Sequence, residues 1–435
     1  MENKLNYKRT FFIGLAFLSI SAFWQMYDNI VPLILQNTFG MKETVTGTVM
    51  AMDNVLALIL LPVFGTLSDK VDTKLGKRMP FIVCGTVLAV SFMLLLPTAD
   101  KAGNLTLFVA ALFLTLISMG LYRSPAVALM PDLTPNHLRS RANAVINLMG
   151  AVGGVYSLIM IKLLVGKGKC PDYLPLFCSV AALMVIAVGT LVITIRENKL
   201  KKELLEVIGA NEVSKESAMA EGEDKKETQA PLPKEVKRSM MFLLASIFLW
   251  FTAYNAVTTA FSRYTKVVWK LEGGGFANCL LVATVAAIIG YIPIGHIASK
   301  IGRKKTIMGG IIVMASCYGA AIFVDEYTAL INIAFALIGM AWAAIGVNSY
   351  PMIVAMSKGC DIGKFTGTYY TFSMSAQILT PILSGALLEN ISYRTLFPYA
   401  LVFSLLALLT MTQVRHGDVK PVKTKSVLEN FNVED

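Results

Sequence analysis

Asp28, Asp53 and Arg123 are charged side chains set inside long apolar runs, where an ionised group is costly unless it meets a partner or water. Asp28 sits in Trp24-Gln25-Met26-Tyr27-Asp28-Asn29, and Arg123 in Gly120-Leu-Tyr-Arg-Ser-Pro-Ala126. An arginine keeps its charge in essentially any protein setting, whereas a carboxylate can take up and release a proton. An Asp28–Arg123 pair would therefore tighten and loosen with protonation, coupling charge to helix movement. A static ion pair between two helices is the plainer alternative. Asp53, followed by Asn54, enters its own apolar segment at a depth similar to that of Asp28. Two neighbouring carboxylates resist simultaneous ionisation, which would suit one of them to reversible protonation near neutral pH.

Neutral polar residues accompany these charges. Gln25, Tyr27, Asn54, Asn143 and Asn147 lie in the first half of the chain, and Tyr254, Asn255, Asn348 and Gln377 in the second. Amides both donate and accept hydrogen bonds, and flat rings stack on sugar faces, so this set suits a neutral, hydroxyl-rich ligand. Each alone could equally be an interhelical hydrogen bond. The six cysteines are scattered, mostly in apolar runs, with no disulfide or metal-ligand spacing. His296 and His137 have no partners for a metal site either, so neither metal nor cofactor is expected.

The elements that must position these groups are membrane spans. Of the 435 residues 55% are hydrophobic and 15% charged, with a mean hydropathy of +0.62, whereas about a quarter of a soluble domain is charged. Twelve segments are long enough to cross roughly 30 Å of hydrocarbon: 11–35, 46–67, 79–97, 106–131, 142–165, 174–195, 240–262, 274–298, 304–324, 328–356, 363–388 and 394–412. The sequence thus predicts an all-α integral membrane protein. A six-helix bundle is expected over 1–196, a linker dense in Lys and Glu over 197–238, a second bundle over 239–413 and a polar tail over 414–435. The even count puts both termini on one side. Only eight of the 39 Lys and Arg residues (Lys42, Lys101, Lys162, Lys167, Lys169, Lys266, Lys270 and Arg394) fall on the opposite side, with Arg123 and Arg263 in or near the membrane. The positive-inside rule then makes both termini cytoplasmic. The net charge of +11 reflects this topology and not nucleic-acid binding.

A short charged motif occurs twice, each time after an apolar run: Gly65-Thr-Leu-Ser-Asp69 leading to Gly76-Lys77-Arg78, and Gly295-His-Ile-Ala-Ser299 leading to Gly302-Arg303-Lys304-Lys305. The two copies fall between segments 2 and 3 and between segments 8 and 9, equivalent places in two related halves. Such repetition is the trace of an alternating-access carrier. These residues, with Asp132 and Arg141, are expected to gate conformational exchange on the inner side. Ser299 replaces Asp69 in the second copy, so a charge latch is expected on one side only.

With its extended loop and the string Gly76-Lys77-Arg78-Met79-Pro80-Phe81-Ile82, the chain resembles the major facilitator proteins. More narrowly it resembles the sugar:proton symporters of the solute carrier 45 and plant sucrose carrier type, within the glycoside–pentoside–hexuronide:cation group. Arg123-Ser-Pro-Ala-Val-Ala-Leu-Met-Pro-Asp132 and Arg141-Ala-Asn143-Ala carry the rest of the likeness. The resemblance implies a facilitator fold of two pseudo-symmetric six-helix bundles, no enzymatic activity, and sugar and proton handling by Asp28 and Arg123. It implies import of a small glycoside, such as sucrose or maltose, with a proton as coupling ion and sodium as the alternative. The compact length and short external loops suggest a carrier of a prokaryotic plasma (inner) membrane, and a monomer is expected. Proton-driven export of an amphipathic compound is a competing reading, kept open by the 22 methionines, and a nontransporting sensor is a third.

Overall fold

The computed structural model describes residues 5–135, 138–168, 170–202, 233–356 and 362–418. The described residues contain no strand. Their helices are α1 (Tyr7–Asn37), α2 (Glu43–Lys70), α3 (Met79–Met93), α4 (Leu95–Lys101), α5 (Leu105–Asp132), α6 (Arg139–Leu164) and α7 (Leu174–Thr194). Beyond 203–232, which lie outside the described residues, come α8 (Lys234–Val267), α9 (Ala277–Ile301), α10 (Arg303–Ala321), α11 (Ile331–Met356), α12 (Ile362–Asn390) and α13 (Leu396–Thr412). Only Leu94 separates α3 from α4, and the two make one span, Met79–Lys101.

Helices follow from the medium. Hydrocarbon offers no hydrogen bonds, so each apolar segment must satisfy its backbone internally. Polar caps appear where the chain leaves that medium: Asn6 Oδ1 accepts from the Arg9 amide at 3.1 Å, and Asn104 Oδ1 from that of Leu107 at 3.0 Å. The helix periphery is apolar. Val185, Ile186 and Ile193 on α7, and Val402, Leu405 and Leu409 on α13, point outward. In water these would form a large adhesive patch, whereas in a bilayer they face their proper solvent. Among the described residues, eleven spans are both long and apolar enough to cross a membrane. The twelfth segment counted in the sequence is α10, a helix of 19 residues that opens on Arg303, Lys304 and Lys305, which shortens its apolar stretch.

Packing repeats between the halves. α1 lies against α6 and α7 as α8 does against α12 and α13; α3 meets α5 as α10 meets α11; α2 meets α5 as α9 meets α11. The halves join along α2–α12 and α6–α9, with a smaller contact of α1 on α8.

Candidate functional site

A cavity of about 720 Å³ opens between the halves. Three helices of the first half each supply one stripe at helical spacing. α1 gives Phe17, Ser21, Trp24, Gln25 and Asp28; α5 gives Arg123, Val127 and Met130; α6 gives Arg139, Asn143, Asn147, Gly150 and Gly154. Residues three or four apart share a helix face, so each stripe is one inward surface. Among the described residues the second half adds Thr284 and Tyr291 from α9 and Tyr370 from α12. The cavity runs to the face that carries the N-terminus, here the near face, where Arg139 donates to the carbonyls of Thr134 (3.3 Å) and Pro131 (3.0 Å) at the end of α5.

Asp28 lies nine residues from the far end of α1, and Asp53 ten residues from the far end of α2, about 14–15 Å along each helix. They share a depth, and Asp28 is within electrostatic range of both Asp53 and Arg123. Asp53 accepts a hydrogen bond from Asn54 Nδ2 at 2.8 Å and is not part of the cavity wall. The Arg123 guanidinium sits over the Trp24 ring, 5.9 Å from its centroid, a cation–π contact that helps hold a charge in a low-dielectric setting. Tyr27 is buried with its ring edge-on to Trp24, 5.3 Å between centroids.

Of the residues singled out in the sequence, Gln25, Asp28, Arg123, Asn143 and Asn147 meet in the cavity wall. Tyr27, Asp53 and Asn54 stand behind it. The second-half candidates lie elsewhere. Tyr254 stacks on Trp342 at 3.8 Å, Asn255 receives the Thr259 hydroxyl on its backbone carbonyl at 2.6 Å, and the Asn348 amide turns back to the Ala344 carbonyl at 2.9 Å. Gln377, half-buried on α12, does not line the cavity either. Tyr291 and Tyr370 escaped the sequence reading because a tyrosine in an apolar run is an ordinary packing residue.

On the near face the two repeated loops are built alike. Gly76 (φ +116°) and Gly302 (φ +94°) occupy left-handed backbone immediately before α3 and α10, where L side chains are strained. Both helix starts are met by a carboxylate from beyond the last span of the same half. Glu197 accepts from the amides of Lys77 (2.9 Å), Arg78 (3.0 Å) and Met79 (3.1 Å), and Asp418 accepts from that of Lys304 (3.0 Å). These acids complement orphan N–H groups and the helix dipole. Arg78 then reaches Asp69 (2.5 Å), Asp132 (2.9 Å), the Ser68 hydroxyl and the Gly65 carbonyl (3.3 Å), tying α2, α3 and α5 together. In the second half Arg303 donates to the Pro351 carbonyl at 3.2 Å. The Ser299 hydroxyl donates to the His296 carbonyl, three residues earlier in its own helix, at 2.8 Å. The expected one-sided latch is thus incomplete as a description: the second loop has its own carboxylate, supplied by Asp418. Arg141 is half-buried at the start of α6. His137 lies outside the described residues.

A Cβ at Gly76 would fall 2.2 Å from Glu197 Oε2. Gly76→Ala is therefore expected to cost about 1–3 kcal/mol, read as a lower thermal-unfolding midpoint of the purified protein. Gly189→Ala, which meets nothing within 4 Å, should leave that midpoint unchanged.

Membrane-spanning helices surround a polar, charged central cavity, an arrangement found in multi-pass membrane transporters. The chain belongs to the Major Facilitator Superfamily, whose profile it matches over residues 13–290 and 271–431. It is 33% identical over 113 residues to the Sucrose transport protein SUC4 of Arabidopsis thaliana, covering 22% of each chain. It is 26% identical over 151 residues to the Sucrose transport protein SUT3 of Oryza sativa subsp. japonica, covering 30% of each. These matches thus span less than a third of the curated relatives' length. The whole fold is similar to the xylose transporter XylE from E. coli in an inward open conformation, with TM-score 0.64, 14% identity and coverage of 97% of this chain and 98% of that one. It is also similar to the nucleoside transporter NupG, with TM-score 0.67, 14% identity and coverage of 94% and 100%.

Proposed function

We propose that this transporter imports a sugar or glycoside, with disaccharides the first class to test, by proton-coupled symport. The observation that carries the reading is the single cavity wall shared by Asp28, Arg123 and the amides of Gln25, Asn143 and Asn147. The acid is the group for the coupling proton, the guanidinium its fixed electrostatic partner, and the amides with Tyr291 and Tyr370 the hydroxyl- and ring-recognising surface. The partial likeness to two plant sucrose transport proteins supports the sugar class. At about 720 Å³ the cavity lies within the usual small-molecule range of roughly 300–1,000 Å³.

In this reading the near face is cytoplasmic, as the distribution of Lys and Arg supports, and the protein resides in the plasma membrane with both termini inside. Residues 1–196 and 239–413 act as two bodies joined by the 197–238 linker and followed by the 414–435 tail. They rock about the cavity, the structure being the state open to the near face. The lining residues all come from one chain, which supports the monomer as the functional unit.

The test is sugar-dependent proton uptake into vesicles containing the purified protein, across a disaccharide panel. Alkalinisation of the outer medium that follows one sugar, and sugar accumulation that follows an imposed pH gradient, are the expected results. Accumulation driven by a sodium gradient alone would replace the coupling ion. Transport of amphipathic cations with no response to any sugar would replace the reading with export.

A further inference from the structure

At the far face a carboxylate of the first half is buried against a guanidinium of the second. Glu43 is the first residue of α2, and Arg263 lies four residues before the end of α8. Arg263 Nε stands 2.9 and 3.2 Å from the two oxygens of Glu43, and its Nη1 donates to the Thr259 carbonyl at 2.8 Å. Tyr393, in the turn before α13, donates its hydroxyl to Glu43 at 2.5 Å. Both charged side chains are at most 4% exposed. Around them the two halves touch closely. A Cβ at Gly47 would lie 2.1 Å from the Pro381 carbonyl oxygen, so α2 and α12 meet backbone to backbone. Glu389 accepts from the Thr44 amide at 2.9 Å and faces Lys42 at 3.4 Å. At the other seam Lys266 donates to Asn37 at 2.6 Å and Lys162 to Asn278 at 3.1 Å, and a Cβ at Gly274 would lie 2.2 Å from the Ile161 carbonyl oxygen, so the backbones meet closely there too.

A dry ion pair is tolerable only while both partners are present; removing one strands the other in low dielectric. Parting α2 from α8 and the Tyr393 turn returns the stranded charge to water. That movement is the opening of the far face. The pair therefore acts on the balance between two conformations and not on the substrate. We propose that Glu43, Arg263 and Tyr393 form the latch of the far face, closed when the cavity opens to the near face and released once in each transport cycle. The proposal rests on the alternating-access reading but on neither the sugar nor the proton assignment.

Pulsed electron paramagnetic resonance tests it on the full-length protein in nanodiscs. With the native cysteines replaced, spin labels are placed at Lys167 after α6 and Leu330 before α11, both exposed residues of the far face in opposite halves. The parent should show one short separation. Glu43→Gln should raise the ratio of long to short separations on the order of tenfold or more. Tyr393→Phe, which keeps the ring and removes one donor, should move the ratio the same way by less. The double exchange Glu43→Arg with Arg263→Glu should restore the short separation. Distance distributions of Glu43→Gln and Tyr393→Phe that superimpose on the parent's would overturn the latch. Because the readout needs no substrate, a shift in these variants beside a failed sugar assay would leave the latch standing and overturn only the sugar reading.

Discussion

Asp28→Asn is expected to abolish sugar accumulation driven by a pH gradient while leaving sugar exchange across the membrane measurable. The asparagine keeps the size and hydrogen-bonding reach of the carboxylate but cannot carry a proton. Uphill transport needs a protonated and a deprotonated state, whereas exchange of substrate for substrate needs only one. The expected fall in pH-driven accumulation is on the order of 100-fold, in line with the loss of a positioned proton-transfer group. Arg123→Gln removes the fixed charge that Asp28 senses and the cation over Trp24, and should also end coupled uptake. Thermal unfolding of Asp28→Asn, Arg123→Gln and the double variant separates mechanism from packing. If the charges balance one another, the double variant loses less stability than the two single losses added together. Coupled accumulation by Asp28→Asn at the parent's level would remove Asp28 from the proton path.

Gly153→Ala and Gly154→Ala should differ sharply although the residues are neighbours. α1 and α6 form the most extensive helix pair in the protein, and at Gly153 they meet backbone to backbone: a Cβ there would lie 2.0 Å from the Leu18 carbonyl oxygen. No rotamer change relieves a contact with main chain, so the helices must separate, at about 3 kcal/mol or more. For a chain of this length that is a fall in the unfolding midpoint on the order of 5 °C, together with loss of transport, since α1 carries Asp28. At Gly154 the nearest atom to a new methyl group is Gln25 Oε1 at 3.6 Å, an ordinary contact facing the cavity. Gly154→Ala should keep the parent's stability and raise the KM for sugar a few-fold. Equal midpoints for the two alanine variants would refute this view of the α1–α6 seam.

The spans and the charged stripe were legible because both depend on one-dimensional facts. A run of apolar residues states its own length, and Asp28 or Arg123 within such a run announces a cost that some partner must offset. Partners across the fold carry no such signal. Glu43 lies outside the apolar run that starts at residue 46, because the helix extends past that run into the far-face contact with Arg263, 220 positions away. Glu197 and Asp418 read as members of a linker and a tail, yet each completes the start of a helix more than a hundred residues earlier. The only trace was their position as acids soon after the sixth and twelfth spans, following a glycine-led basic helix start that has no capping acid of its own. The polar residues of the second half stand out in the sequence by chemical type alone. Chemical type does not give helix rotation, and rotation turns Tyr254 onto Trp342 while Tyr291 and Tyr370 reach the cavity.

Among the described residues the cavity wall is very unequal: most of it is contributed by α1, α5 and α6, with Thr284, Tyr291 and Tyr370 from across the gap. A ligand would therefore travel with one body, and the other would serve as its cover. Selectivity could then drift through the cover, by exchange of two phenol rings and a hydroxyl, while the ionisable machinery opposite is left untouched. Such a division lets a single scaffold acquire new cargoes without having to rebuild its energy source.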